Sequence, residues 1–590
     1  MSNTSGYVNK IRKTIDSMTA GIVRRGQGIR LERTIRNMEF EVPDPHSVSI
    51  ALVFLPGSDI SEKAISRISQ RLSNNYEYKI ITFAEKDTDF RTINARIIEA
   101  DPDYVLFLNN IYSVSRNFDS VLLSTLYKFS DIGIVGALTY YSKKSGRTRS
   151  NLVKQVGLST QKRFEKDGIT PYYTLRQKRN EQILWRKSTE LFEEIPSTDL
   201  LFMSFDKFRE FKGIFELYES ASLKYPLSDL CLLSIASGCR NYLNTSCVAS
   251  INTKEKNKAA RVHNRNVFRG RWYRYLSSRE QPSFAALDGD SIDICGAMPA
   301  NDSAKFWGDY HYALALKKSF EKLGFKVNVL SKEHWYDNTD SKYVLVLRGV
   351  KPYYRSAVAD GRIVMFWAIS HPADIKPAEL SQASHVFFAS KKMQEIFGPK
   401  ISTYSSVLPQ CTDQNVMSAS GACAMSPELL FVGNSRHVYR RILQDLLPTE
   451  HELKVFGRHW EDFPLVYKHV VSEYIDNAKV ASAYHNAAIL LNDHWDDMLE
   501  YGIISNRIFD ALCAGAFVIS DDVPGIHELL GDAVVTYTDK NDLKDKIDFY
   551  VTHPKERNEI ASKGQSLVLN KHTFDERVVD IIKVMSQTKV

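Results

Sequence analysis

Short apolar runs recur through this chain, each about one strand long and each followed by a segment with helical spacing. Val48–Leu55 (VSIALVFL) is the first. A strand wetted on one face alternates polar and apolar residues, whereas one covered on both faces reads as a continuous run. Similar runs stand at Tyr78–Phe83, Tyr104–Leu108 and Ile132–Val135, with helix-like segments such as Ser61–Ser73 and Ile93–Glu99 between them. This alternation predicts a βαβ sheet over 47–250. A second series holds strands at Ile292–Cys295, Lys326–Leu330, Tyr343–Leu347, Ile363–Trp367 and His385–Ala389, with a helix at Tyr310–Leu323. A third has strands at Leu429–Val432, Leu453–Phe456, Ala488–Asn492, Ala516–Ser520 and Ala533–Tyr537, and ends in helices. A chain of 590 residues exceeds one core. The expected fold class is α/β: an N-terminal mixed or parallel sheet domain, then two Rossmann-like domains with a ligand cleft between them. The expected division is a basic helical or coil segment 1–46, a sheet domain 47–250, a basic linker 251–288, and Rossmann-like domains 289–425 and 426–590.

Hydrophobic residues make up 43% and charged residues 25%, ordinary values for a globular protein. No run of about 18 uncharged apolar residues occurs, so no membrane span is expected. The N-terminus lacks an apolar signal core, which points to a cytoplasmic protein. The cysteines (Cys231, Cys239, Cys247, Cys295, Cys411, Cys423 and Cys513) are odd in number and form no CxxC, so reduced thiols and no metal site are expected. The net charge of +7 gathers in 10–36 and 254–279, and the second run also holds Phe268, Trp272, Tyr273 and Tyr275. Basic residues interleaved with aromatics suit an anionic membrane surface, such as the inner face of the plasma membrane, or a phosphate-bearing acceptor. A solvated linker with a few packed aromatics reads the same way. No nucleic-acid-binding motif accompanies the charge, so no nucleic acid partner is expected.

The segment Leu491–Leu530, LNDHWDDMLEYGIISNRIFDALCAGAFVISDDVPGIHELL, carries the most chemistry. Ser505 and Asn506 can cap a helix bearing Arg507, Phe509 and Asp510, closed by Ala514-Gly515 before the next strand. Backbone N–H groups of Gly502, Ile503, Ile504 and Ser505 at that helix start can cradle a diphosphate. Asp510 can accept from ribose or sugar hydroxyls, and Arg507 suits an anion or a pair with Asp510. An N-capped amphipathic helix with one ion pair shows the same pattern. Upstream, a strand ends in Gly433-Asn434-Ser435 and a helix is expected to follow, placing Arg436 and Arg440 one turn apart. Gly457, in Lys454–Trp460, borders the next loop. In the preceding domain, Phe306–His311 precedes a helix at the ligand-binding end of an open sheet, and His311 and Ser370-His371-Pro372 point to the cleft.

These segments resemble the donor-binding signature of the GT4-like glycosyltransferases, in particular the shorter branch described as glycosyl transferase family 1 or CgeB-like. Glu500-Tyr501-Gly502 matches the first acidic part and Asp510 the second, although the two acids stand farther apart than in the family and the second is Asp. The resemblance implies a GT-B body of two Rossmann-like domains and a UDP- or GDP-sugar donor, with no cofactor and no metal. It implies a retaining transfer, in which Arg436 and Arg440 offset the leaving group's charge. It assigns Asp510 to the ribose, gives Glu500 the catalytic role of the family's first acid, and assigns the turns at Gly433-Asn434-Ser435, Gly457 and Gly502–Arg507 to the donor. His311 would sit near the reacting sugar.

Asn94–Ile111 (NARIIEADPDYVLFLNNI), Gly133–Gly136 and Leu227–Tyr242 resemble family-2, GT-A glycosyltransferases. Ile111 stands where that family has its metal-binding Asp, and Pro226 and Leu227 where it has Glu and Asp. An inverting enzyme of that type needs both acids, so an inactive GT-A-like domain is expected. Asp101, Asp103 and Asp119 are the nearest substitutes. The resulting expectation is a glycosyltransferase that builds a surface polysaccharide on a glycan or lipid-linked glycan acceptor, and it is compatible with a homo-oligomer. The alternatives are a bifunctional enzyme with both sites active and a glycan-binding or assembly protein without turnover.

Overall fold

The computed structural model describes residues 47–588 apart from 59, 85–87, 129–130, 143–147, 156–157, 165–170, 178–189, 193, 252–256, 279–286 and 419–425. The expectations for 1–46 and for Cys423 lie outside the described residues. The chain divides into two compact units. One is formed by residues up to Glu280 with Ser356–Val358, the other by Gln281–Arg355 with Ala359–Val590.

The first unit contains β1 (Ser49–Phe54), β2 (Glu77–Thr82), β3 (Tyr104–Leu108), β4 (Ile111–Val114), β5 (Ile132–Ser142), β6 (Thr148–Gln155), β7 (Leu158–Phe164), β8 (Pro171–Gln177), β9 (Glu190–Phe192), β10 (Leu200–Ser204) and β11 (Arg240–Ile251). Its main sheet runs β2-β1-β3-β10-β5-β11-β4, with β6 on β5 and β9 on β11, while β7 and β8 form a separate ribbon. β1 is parallel to β2 and β3, whereas β10 is antiparallel to both its neighbours, so the sheet is mixed. Ile50, Leu52 and Phe54 join Leu106, Val135 and Phe202 in the core. The flanking helices start where the sequence supplies caps: Ser61 accepts from the Ala64 N–H and Asp89 from the Thr92 N–H.

The stretch 251–288 is not a plain linker. It contains the helix Lys258–Ser278, in which Phe268 and Trp272 are fully buried and Arg271 and Arg274 nearly so. Asp229, itself 1% exposed, accepts from Arg271 Nε at 3.0 Å, Trp272 Nε1 at 2.6 Å and the Tyr218 hydroxyl at 2.9 Å. Burying that carboxylate requires a cation and donors, and the basic, aromatic helix supplies them. Its buried aromatics are therefore core, not a membrane-facing display.

The second unit holds two six-stranded parallel sheets. The first comprises β12 (Asp288–Cys295), β13 (Lys326–Leu330), β14 (Ser341–Arg348), β15 (Ile363–Ala368), β16 (His385–Phe388) and β17 (Ser405–Val407), in the order β13-β12-β14-β15-β16-β17. The second comprises β18 (Leu429–Val432), β19 (Leu453–Phe456), β20 (Val470–Ser472), β21 (Ile489–Asn492), β22 (Val518–Asp521) and β23 (Val535–Tyr537), in the order β20-β19-β18-β21-β22-β23. Both are Rossmann-like sheets, each with its strand order reversing once. The final helix departs from the expected domain 426–590. Phe574, Val578, Ile581 and Met585 of Phe574–Gln587 pack with Tyr312, Leu316 and Phe320 in the core of the first sheet. That apolar stripe meets its partner only by crossing back, and Lys322 anchors Asp575 at 2.9 Å. At the crossing, Thr412 donates its N–H to the His572 carbonyl and accepts from the Phe574 N–H.

Candidate active site

Open parallel sheets bind ligands outside the carboxyl ends of their strands, where the strand order reverses. The two sheets reverse between β12 and β14 and between β18 and β21. Contacts between the halves frame the cleft. Phe306 meets Tyr474 edge-on at 5.7 Å, with the Arg458 guanidinium 5.5 Å from the Phe306 ring. The Ser390 hydroxyl donates to the Tyr501 carbonyl at 2.5 Å, and Tyr501 stacks on Phe397 at 5.6 Å. Ser390, Lys391, Gly502, Ile504 and Gly525 line a hollow of about 600 Å³ to which both halves contribute.

In the second half, the loops after β18 and β19 are joined. Gly433 donates to the Phe456 carbonyl at 2.8 Å, the Asn434 side chain accepts from the Arg458 N–H at 2.8 Å, and Ser435 donates to the Arg458 carbonyl at 3.0 Å. The Ser435 hydroxyl also meets the His459 carbonyl. A side chain at Gly457, where φ is 144°, would strike the Gly433 carbonyl, so the two loops require glycine there. The helix expected after Ser435 is instead a turn, with Arg436 and His437 at φ 51° and 62°. The helix begins only at Arg441, so Arg436 and Arg440 are not one helical turn apart. Arg440 is 4% exposed and forms a two-pronged ion pair with Asp493, its Nε 3.1 Å from Oδ2. Its guanidinium lies 4.2 Å from the Trp495 ring centre, and the exposed Arg436 guanidinium lies 5.2 Å from the same ring. Among the described residues no carboxylate lies within ion-pair distance of Arg436.

The N–H groups at the next turn are largely committed. Gly502, at φ 68°, donates to the Leu499 carbonyl and ends the helix Asp496–Tyr501. Ile503 donates to the Met498 carbonyl at 2.9 Å, and Ser505 to Nε2 of His494 at 2.9 Å. Three donors expected to cradle a diphosphate therefore have protein partners. His494 holds Asp521 through Nδ1 at 2.6 Å and through its own N–H at 2.9 Å, so its Nε2 is free to accept. The side chains of Ile503 and Ile504 are buried.

In the helix Asn506–Cys513, Arg507 and Asp510 do not form an ion pair. Asp510 accepts from the Thr412 hydroxyl at 2.6 Å and from Asn506 Nδ2 at 2.8 Å, and burial pushes its carboxyl up to about 7. Arg507 donates to Asn492 Oδ1 at 2.7 Å and lies under the β18 turn, where a Cβ at Gly433 would be 2.9 Å from its Nη2. Burial, then the neighbouring Arg440 charge, lowers its affinity for a proton, and Tyr484 is the main group opposing them. No described carboxylate lies within ion-pair distance of Arg507. Glu500 is exposed and lines a separate hollow with Arg441, Asp522 and Thr538.

In the first half, His311 Nε2 meets the Lys305 carbonyl at 2.8 Å, which ties its ring to the turn before its own helix. Asp309, two residues earlier and not singled out by sequence reading, occupies the switch point. Its carboxylate accepts from the Ala297 N–H at 3.3 Å, and burial raises its pKa. His371, held at φ 52°, pairs through Nδ1 with the Ser370 hydroxyl at 3.0 Å. Asp493, His494, Trp495 and Asp521 also escaped notice. Asp493 and His494 follow the apolar run of β21, the only signal that could have marked them. Among the described residues no cluster of three His, Cys, Asp or Glu side chains is arranged to hold a metal ion, and no helix is long and apolar enough to cross a membrane.

Residues 436–583 match the family model described as glycosyl transferase-like. Spore protein CgeB of Bacillus subtilis (strain 168) is 25% identical over 163 residues, which cover 25% of this chain and 50% of that protein. The chain thus spans about half the length of this relative. Among solved structures, sucrose-phosphate synthase from Thermosynechococcus elongatus is similar at a TM-score of 0.39 and 12% identity, over 50% of this chain and 98% of that one. AviGT4, a glycosyltransferase involved in avilamycin A biosynthesis, gives 0.38 and 13% over 50% and 97%. T4 phage BGT in complex with its UDP-glucose substrate gives 0.36 and 12% over 51% and 99%.

Proposed function

We propose that the second unit transfers a sugar from a nucleotide-sugar donor to an acceptor hydroxyl, with the donor diphosphate at the β18/β21 crevice. The observation that carries this reading is a charge imbalance. Arg436, Arg440 and Arg507 gather at the end of β18, and among the described residues only Arg440 has a carboxylate at ion-pair distance. Arg440 disfavours the charge on both of its neighbours. A diphosphate supplies the missing negative charge and receives charge-assisted hydrogen bonds. The glycosyl transferase-like match over 436–583 supports the same assignment.

The two unpaired arginines can neutralise the leaving group as it departs, which is the role a metal plays elsewhere. The proposed donor is UDP- or GDP-linked, and the proposed acceptor is a glycan, lipid-linked at a membrane face, in surface polysaccharide synthesis. The net charge of +7 supports an anionic carrier. Retention is the stereochemical outcome implied by the GT4-like resemblance. A ribose reaches Asp510 only by exchanging one of its two bonds, to Thr412 or to Asn506.

We read the first unit as a GT-A-like scaffold without turnover. Ile111 and Leu227, at the positions of the missing acids, are buried. The substitutes are engaged elsewhere. Asp119 accepts from Ser73 and Tyr78, Asp103 from Ser49, and Asp101 ends a helix at φ 42°.

Calorimetric titration of UDP and GDP into the wild type and Arg436→Ala tests the donor site. The expected result is binding by the wild type of one of the two, weakened about tenfold to a hundredfold in the variant, the value of one charge-assisted contact. Equal affinities would remove Arg436 from the site.

A further inference from the structure

We propose that the exposed face of the helix Lys258–Ser278, in the first unit, is a docking surface for an acidic polysaccharide bearing uronate carboxylates. The choice of a glycan as partner rests on the surface-polysaccharide reading of the second unit. The charge of the surface does not.

The helix carries six arginines and lysines and no Asp or Glu over its 21 residues. Arg271 and Arg274 are turned into the core. Lys258, Arg261, Arg265 and Arg269 recur at intervals of three and four residues, which places them in one stripe. The stripe is about 16 Å long on the helix axis. Lys258 and Arg261 are exposed, and Arg265 and Arg269 are half-buried.

Helix stability does not account for this arrangement. Lys258 and Arg261 put positive charge at the positive end of the helix dipole, and the first turn has no acid to offset it. Arg265 stands four residues from both Arg261 and Arg269, so like charges repel along the stripe. Among the described residues no carboxylate lies within ion-pair distance of Lys258, Arg261 or Arg265, whereas the inward-facing Arg271 has Asp229. Nε of Arg265 is buried without a hydrogen-bond partner. A buried guanidinium donor is costly until an acceptor reaches it. Carboxylates spaced along the stripe relieve the repulsion, complement the dipole and give the arginine forks their matching acceptor.

The aromatic residues decide between kinds of polyanion. Single-stranded nucleic acid is held by stacking its bases on aromatic rings, and a bilayer takes up the apolar face of a helix. Here the rings are committed to the protein. Phe268 packs on Tyr225 at 5.4 Å, Trp272 on Tyr275 at 5.5 Å and Tyr273 on Tyr173 at 5.7 Å. Val262 is the large apolar side chain that the stripe exposes. The face therefore offers charge and donors without a stacking platform or an inserting edge. Such a face fits a hydrophilic chain of acidic sugars, and a unit without turnover thereby holds the glycan that the second unit extends.

The test is calorimetric titration of the full chain with alginate and hyaluronan oligosaccharides, neutral dextran, poly(dT) and phosphatidylglycerol vesicles, at about 50 and about 200 mM NaCl. The wild type, Arg261→Glu and Arg265→Gln are compared, and UDP and GDP are titrated into each. Expected is wild-type binding of at least one of the two uronate glycans, weaker at the higher salt, with none of dextran. Each variant should bind that glycan about tenfold or more weakly, the value of one charge-assisted contact, while its nucleotide affinity stays within about twofold of wild type. Arg261 is exposed, so its reversal of charge leaves the core intact. No binding of either uronate glycan by the wild type, unchanged glycan affinity in both variants, or tighter binding of poly(dT) or of the vesicles overturns the proposal. Any of these with nucleotide binding intact removes this surface alone. Glycan binding that follows the stripe, in a wild type that binds neither UDP nor GDP, removes the donor site and leaves the surface standing.

Discussion

Ser505 gives its backbone N–H to Nε2 of His494 at 2.9 Å, and His494 is held in the opposite direction by Asp521 at 2.6 Å. This Asp–His–N–H chain ties the start of the helix Asn506–Cys513 to the ends of β21 and β22. Replacing His494 by Ala strands a buried N–H and takes a donor from a buried carboxylate. The expected cost is about 2–4 kcal/mol, read as a lower midpoint in urea unfolding. An unchanged midpoint would show that the chain is not structural.

Asp493 and Arg440 form the corresponding ion pair at the end of β18. Removing one partner from a buried pair leaves an uncompensated charge, at about 3–5 kcal/mol. Asp493→Ala should therefore unfold earlier than wild type by that amount. Adding a nucleoside diphosphate should recover less stability than in the wild type, because the geometry of the crevice is lost. A variant as stable as the wild type would contradict the burial of this pair.

Asp510 makes stability depend on pH. Burial pushes its carboxyl up to about 7 in the folded chain, against an ordinary aspartate value of 3.8. Between these values the folded state holds a proton that the unfolded state has lost. Stability therefore falls as pH rises from about 4 to about 7, by up to about 1.4 kcal/mol per pH unit. Asn506 Oδ1 is buried without a partner, so after rotation of its amide it can accept from the new side chain in Asp510→Asn. That variant should lose this part of the slope and gain stability over wild type at pH 8 but not at pH 4. Parallel melting curves against pH for both proteins would contradict the assignment.

The returning helix Phe574–Gln587 inserts Phe574, Val578, Ile581 and Met585 into the core of the first sheet. Burial of each such side chain is worth about 1.5–3 kcal/mol, and a domain's whole margin is about 5–15 kcal/mol. A chain ending at Thr573 should be insoluble or readily proteolysed in its first Rossmann half. The milder Ile581→Ala should lose about 2–5 kcal/mol. Wild-type protease resistance in the truncated chain would contradict the packing.

The fold was legible where a single physical rule acts alone. Apolar runs such as Tyr104–Leu108 and Leu429–Val432 form buried strands, their length fitting a strand and falling short of a helix. The turns of the candidate site were legible as places along the chain but not in their bonding. The turn at Gly433-Asn434-Ser435 lies where strand order indicated, but Arg436 and His437 adopt left-handed conformations that no periodicity announces. The donors at Ile503 and Ser505 looked free because their acceptors, the Met498 carbonyl and the His494 ring, depend on how the chain turns between them. Helix Lys258–Ser278 read as a linker because the buried Asp229 that its cation serves lies far back in the sequence. Asp309 was overlooked beside His311 because only the sheet order shows which of the two faces the switch point.

The proposed task of the arginines at the end of β18 is to hold the diphosphate of a nucleotide-sugar. The most direct measurement is donor turnover across UDP-, GDP-, CMP- and dTDP-sugars, with EDTA present, by the wild type, Arg436→Ala and Arg507→Lys. Turnover of at least one UDP- or GDP-sugar should survive EDTA and fall about tenfold or more in each variant. Turnover abolished by EDTA, or left unchanged by both substitutions, would contradict it.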